Sequence, residues 1–187
     1  MLITGMPAAG KSIISSYLVE EGCPVLSMGD VIREETEKRG LESTPENVGE
    51  TAVQIRLEEG EDAVAARCVE RLESLSTENP VLCIEGIRSP REVEVFKQTY
   101  SNTIIVAIHA SPRTRFERFM RRKRSDDPRN LAEFQERDNR EIAFGIGSVI
   151  ALADHLIVNE SSVRKARSDV ARELGGYLGH GRSSPKD

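Results

Sequence analysis

Residues 5–12 read Gly5-Met6-Pro7-Ala8-Ala9-Gly10-Lys11-Ser12, a complete G-x-x-x-x-G-K-S phosphate-binding loop. Two glycines let the backbone wrap around an anion. The amides that follow Pro7, which has none of its own, point at β- and γ-phosphates. Lys11 adds a point charge at the γ-phosphate, and the Ser12 hydroxyl is a Mg²⁺ ligand. This pattern implies a nucleoside triphosphate, ATP with Mg²⁺, cradled by every residue from Gly5 to Ser12.

Other charged residues stand where a phosphate loop would need them. Met28-Gly29-Asp30-Val31-Ile32-Arg33 follows an apolar run and enters a helix. A carboxylate at a strand's C-terminal edge faces the ligand crevice of an open α/β sheet. Arg33, one turn on, can fork onto a phosphate. The bland alternative is an Asp30–Arg33 surface pair. Val81-Leu82-Cys83-Ile84-Glu85 is an apolar run ending in an acid, which places Glu85 beside Mg²⁺, and Arg88 projects over the strand edges. From Arg113 to Arg129 the chain is dense in arginine, with Arg137 and Arg140 following. Part of that charge is a solvated helix face. The sharper use is a mobile lid over residues 113–142, turning at Asp126-Asp127-Pro128, whose arginines neutralise polyphosphate charge in transfer.

The elements that must position these groups are legible too. Leu2–Thr4, Pro24–Met28, Val81–Ile84, Thr103–Ile108 and His155–Val158 read as buried strands separated by helical patterns, the alternation of a parallel α/β sheet. The first run is short for a central strand, either because the strand is clipped or because residues precede Met1. Ile13, Ile14, Tyr17 and Leu18 recur at helical spacing before Gly22. Thr44-Pro45, Ser89-Pro90, Ser111-Pro112, Asn130 with Glu133, and Ser162 all mark helix starts. After Asp62, Val64, Cys68, Leu72 and Leu75 form one apolar stripe. Residues 30–76 therefore form an all-helical insertion between the second and third strands, too long for a plain crossover, and they read as an acceptor-binding subdomain. Residues 1–178 make one domain, and 179–187 a disordered tail.

Composition narrows the function classes. Of 187 residues, 38% are hydrophobic and 30% charged, and no apolar stretch reaches membrane-spanning length. Net charge is −5, aromatic content is 4% and Trp is absent, which disfavours a base-stacking nucleic-acid binder. Cys23, Cys68 and Cys83 lack metal-ligand spacing and read as small core residues in a reducing, cytoplasmic setting. The phosphate loop begins too close to Met1 for a signal peptide. His109, His155 and His180 are scattered, and none is read as a catalyst.

Taken together, the loop, the Gly29-Asp30-x-x-Arg33 turn and Glu85-Gly86-x-Arg88 resemble the nucleoside monophosphate kinases. The Ser after the loop lysine and the run Ala153-Asp154-His155-Leu156-Ile157-Val158-Asn159 resemble dephospho-CoA kinases. Met1 to about Leu178 looks most similar to an archaeal group of adenylate-kinase-related P-loop proteins. The resemblance implies a five-stranded P-loop fold and an ATP-dependent phosphotransferase. Arg33 and Arg88 would grip the acceptor's phosphate, with arginines among Arg118, Arg122, Arg137 and Arg140 closing from the lid. Lys11, Asp30, Arg88, Arg118 and Arg122 are the catalytic candidates, and Ser12 and Glu85 the metal ligands. Ala8 stands where most relatives have Gly, Met28 where adenylate kinases carry a Thr near the acceptor base, and Glu85 where Asp is usual. The acceptor is thus a small molecule, AMP not being presumed: another monophosphate, a small alcohol, or dephospho-CoA all fit. A second reading is a nucleotide-dependent assembly factor that hydrolyses ATP slowly and docks on RNA or a ribosomal partner through the basic helix.

Overall fold

The computed structural model describes residues 1–74, 81–122 and 128–178. Five strands, β1 (Leu2–Thr4), β2 (Val25–Ser27), β3 (Cys83–Ile87), β4 (Ile105–His109) and β5 (His155–Val158), form one sheet in the order β2-β3-β1-β4-β5. Every pairing is parallel. Nine α-helices lie among the described residues. α1 (Lys11–Glu20) follows the loop, and α2 (Met28–Lys38), α3 (Pro45–Glu59) and α4 (Ala63–Glu73) make the insertion. Then come α5 (Pro90–Thr99), α6 (Pro112–Arg122), α7 (Leu131–Ala143), α8 (Ile146–Ala151) and α9 (Val163–Leu174).

Strand alternation divides the core in two. Leu2, Ile84 and Ile105 face one way, onto Ile32, Ile55, Val64, Phe96 and Val149 from α2, α3, α4, α5 and α8. Ile3, Cys83, Val106 and Ile157 face the other, onto Ile14 and Leu18 of α1 and Val170 and Leu174 of α9. Covered on both faces, β1, β3 and β4 need no polar side, which is why they read as continuous apolar runs; the edge strand β5, expected to be buried, is covered on one face only, with Leu156 and Val158 exposed because no helix packs over them. The three cysteines are free and buried within this packing.

The helix-start signals act as read. Thr44, Ser89, Asn130 and Ser162 each accept a hydrogen bond from the backbone N–H three residues on. At Ser89 the capping box is reciprocal with Glu92.

The bounds of β2, β3 and β4 differ from expectation: β2 is shorter at both ends, and β3 and β4 each start two residues later and end further on. Met28 opens α2 instead of closing β2. β3 does not end at Ile84 but runs to Ile87, so Glu85 and Gly86 lie inside the strand, and the β1 register slips between Ile3 and Thr4 opposite them. An acid followed by a glycine looks like a strand end; β1 and β2 hold it in the ladder from both sides. Leu75, the Asp126-Asp127 turn and residues 179–187 lie outside the described residues. No described helix is long and apolar enough to cross a membrane.

Candidate nucleotide and acceptor site

β1 is the central strand; the chain leaves it toward β2 on one side and later crosses from β3 to β4 on the other, so the crevice for a ligand opens at its C-terminal edge. The phosphate loop sits there, between β1 and α1. Gly5 has φ 146°, and a Cβ on it would lie 2.4 Å from the Ile108 carbonyl oxygen of β4. Gly10 has φ 112°, and its Cβ would lie 2.3 Å from Asn159 Nδ2. Both glycines are demanded by close backbone approach as well as by conformation.

Ala8 is the one non-glycine residue with positive φ among those described, at 63°. The left-handed region costs an L-residue roughly 1–2 kcal/mol, partly offset by about 0.4–1 kcal/mol that Ala gains over Gly through a less disordered unfolded chain. Ala8→Gly is therefore expected to raise Tm by up to ~4 °C, where an ordinary Ala→Gly change lowers it. Thermal denaturation checks this, and a clear fall in Tm would show that Ala8 carries no strain.

Lys11 Nζ donates to the Gly5 carbonyl at 2.7 Å, so its ammonium is held within the loop. Burial pulls its pKa down to about 8, while Glu85 and Glu141 oppose the fall and Arg88 and Arg137 add to it. Glu85 accepts a hydrogen bond from the Ser15 hydroxyl. Ser15 lies one turn beyond Ser12 on α1, which brings the Glu85 carboxylate beside the first turn where Ser12 is exposed. Ser12 and Glu85 offer hard oxygen donors. Mg²⁺ is commonly held by one or two protein oxygens, the rest coming from phosphates and water, so this donor set suits it.

The acceptor candidates lie on the other side. A cleft of about 550 Å³ opens between α2, α3 and α7, and Arg33, Arg88, Arg137 and Arg140 all line it. Gly29, Ile32, Val48, Gly49 and Ala52 supply a small-residue wall, with Ser43 and Thr44 at its rim. The fold brings these four together with a fifth, Arg129, and with Glu46, Glu133, Glu136 and Glu141. Asp30 and Arg33 pair with each other in an exposed ion pair, the bland arrangement, although Arg33 still faces the cleft.

Several partners went unread. Arg88 Nε lies 3.2 Å from Glu141 Oε2, a nearly buried carboxylate on α7. The Arg88 amide donates to Glu92 at 2.7 Å. Glu92, fully buried, also accepts from Arg56 of α3 at 2.7 Å, and Arg56 lies over the Phe144 ring. Insertion, β3–α5 turn and α7 are thereby joined through charged side chains. Glu92 had a legible signal as the capping-box acid. Arg56 and Glu141 had none, since their partners are 36 and 53 positions away.

In the basic segment α6 packs against the phosphate loop and α7. Phe119 is buried, and its ring and that of Phe116 meet Phe134 of α7 edge-on. Arg115 is buried, forms a two-pronged pair with Asp138 at 2.7 and 2.5 Å, and also reaches the Pro7 carbonyl at 3.4 Å. Arg118, expected to meet phosphate from a lid, donates to the carbonyls of Ala8 (3.2 Å), Ala9 (3.1 Å) and Asn159 (2.9 Å). Arg122 and Arg137 stack over the Phe119 ring. The physical reason is the apolar side of α6: burying Phe119 fixes the helix's rotation and carries Arg115 and Arg118 underneath the loop.

A phosphate loop after the first strand of a parallel β2-β3-β1-β4-β5 sheet, with a lysine inside it, defines a P-loop nucleotide-binding domain. The sequence profile of the AAA domain family matches residues 4–135, which takes in the loop, the insertion and α6. A UPF0200 protein of Pyrococcus furiosus is 48% identical over 174 residues, covering 92% of this chain and 94% of its own. The UPF0200 protein of Methanocaldococcus jannaschii is 49% identical over 160 residues (86% and 81%), and that of Hyperthermus butylicus 45% over 181 (97% and 96%). The chain belongs to the AAA domain family and, with these relatives, to the UPF0200 proteins.

Proposed function

We propose that this protein is an ATP-dependent small-molecule kinase, transferring the γ-phosphoryl group to a phosphate-bearing acceptor such as a nucleoside monophosphate. The observation that carries the reading is the convergence of Arg33, Arg88, Arg137 and Arg140, with Arg129, on one cleft, Arg88 and Arg137 being within electrostatic reach of Lys11. A protein that only binds and slowly hydrolyses ATP has no use for a second pocket holding five guanidinium groups. ATP supplies the phosphoryl group and Mg²⁺ neutralises its charge. The protein's part is placement and electrostatics, because in-line transfer needs little covalent help.

In this reading the amides of the loop and the Lys11 ammonium hold the donor, and Ser12 and Glu85 face its metal ion. Arg33 and Arg88 fork onto the acceptor's phosphate, as planar guanidinium groups do better than ammonium groups. Asp30 leaves Arg33 when a phosphate dianion competes for it. The closing element is α7, which carries Arg137, Arg140 and the Glu141 that touches Arg88. α6 stays with the loop. Small residues along α3 shape the space for the acceptor's remainder.

A coupled assay following ADP release from ATP tests the assignment. The acceptors are the common nucleoside monophosphates, their deoxy forms and dephospho-CoA. One of these is expected to raise turnover at least a hundredfold over hydrolysis in water. Slow hydrolysis indifferent to all of them, joined by salt-sensitive RNA binding, would turn the assignment to the assembly-factor reading.

A further inference from the structure

The carbonyls of the phosphate loop are held from outside by side chains far away in sequence. Pro7 O receives Arg115, Ala8 O receives Arg118, and Ala9 O receives both Arg118 at 3.1 Å and Asn159 Nδ2 at 2.8 Å. Arg118 also bonds the Asn159 carbonyl, so the two holders are fastened to each other. A trans peptide sets each C=O opposite the following N–H. Fixing Pro7 O and Ala9 O against α6 and the residue that follows β5 therefore aims the Ala8 and Gly10 amides the other way, toward the face that receives an anion. The left-handed Ala8 lies at the centre of this arrangement. A strained residue persists where its surroundings over-determine it, and here its own carbonyl is one of those gripped.

We propose that Arg118 and Asn159 are positioning residues, a carbonyl clamp that pre-forms the phosphate loop so that its amides are aimed before nucleotide arrives. Arginine suits the task, since one Nη forks onto two consecutive carbonyls while the other reaches a third in the same plane. Asn159 suits it because its amide nitrogen lies against Gly10, in space a Cβ would fill. Preorganisation of this kind strengthens binding by removing an ordering cost from the encounter. The proposal rests on the loop binding polyphosphate and on nothing about the acceptor.

The test is calorimetric titration of the full chain with ATP and, separately, with inorganic tripolyphosphate, both with Mg²⁺. The variants are Arg118→Lys, Arg118→Met and Asn159→Ala, with Tm measured for each. Both ligands are expected to weaken by the same factor, about 10- to 100-fold, because the damage lies in the phosphate cradle and not at the nucleoside. Arg118→Lys should recover little, as a point charge cannot hold three carbonyls. The double variant Arg118→Met with Asn159→Ala should lose less than the product of the single losses, since both side chains grip Ala9 O. If ATP weakens while tripolyphosphate does not, Arg118 touches the nucleoside and the proposal falls. Lower Tm with both affinities intact would reduce the contacts to ordinary structure and also overturn it. Should Arg118→Met fail to fold, Asn159→Ala carries the same comparison. Because binding is read and not transfer, failure of the kinase assignment leaves this result interpretable.

Discussion

Lys11→Ala is expected to abolish phosphoryl transfer and to raise the Kd for ATP by about 10- to 150-fold. The binding loss corresponds to one charge-assisted contact of roughly 1.5–3 kcal/mol. The loss in turnover is larger, at least ~10²–10³, because charge that develops during transfer is left without its nearest cation. The surroundings enlarge the effect: Glu85 and Glu141 act to favour the Lys11 ammonium, and without it less positive charge offsets those two carboxylates as phosphate arrives. The Gly5 carbonyl also loses its 2.7 Å partner, so the loop mouth is less firmly held. A coupled turnover assay with calorimetry of ATP binding checks both numbers. Turnover near that of the unchanged protein would sink the assignment of this loop as the donor site.

The two acceptor-side arginines should behave alike toward substrate and differently toward stability. Arg33→Ala and Arg88→Ala are each expected to lower acceptor kcat/KM by roughly 10- to 150-fold, the worth of a forked guanidinium–phosphate contact, with ATP affinity nearly unchanged. Arg33 is half exposed and pairs with an equally exposed Asp30, a surface ion pair worth little to folding, so its removal should leave Tm in place. Arg88 is different. Its partner Glu141 is nearly buried, and a buried carboxylate stripped of its cation is costly. Arg88→Ala should therefore lower Tm as well, and the added change Glu141→Gln should restore much of the Tm while leaving acceptor use impaired. Thermal melts beside steady-state kinetics separate the two effects. Equal loss of ATP binding in either variant would show the division into donor and acceptor sides to be wrong.

The sequence by itself determined the phosphate loop, the parallel α/β class, the helical insertion and most helix starts. These are local matters: a glycine and lysine spacing, an apolar run, a Ser or Thr before Pro. It also placed Arg33 and Arg88 after strand ends that open on one crevice, and both line the cleft between α2, α3 and α7. The β3 boundary was misjudged because pairing, not local polarity, continues the strand: Glu85 pairs with β1 and β2 and Ile87 with β1, Gly86 being passed over between them. Only the tertiary structure decided what the arginine-rich segment does. A run of arginines announces charge, not its destination. That depends on the rotation of α6, fixed by burying Phe119 against Phe134 of another helix, and the rotation turns Arg115 and Arg118 to the loop carbonyls. Asn159, 149 residues from Gly10 along the chain, and the Arg56–Glu92 and Arg88–Glu141 pairs became visible for the same reason. A buried polar group is stable only when partnered, and the fold, not the neighbouring sequence, supplies the partner.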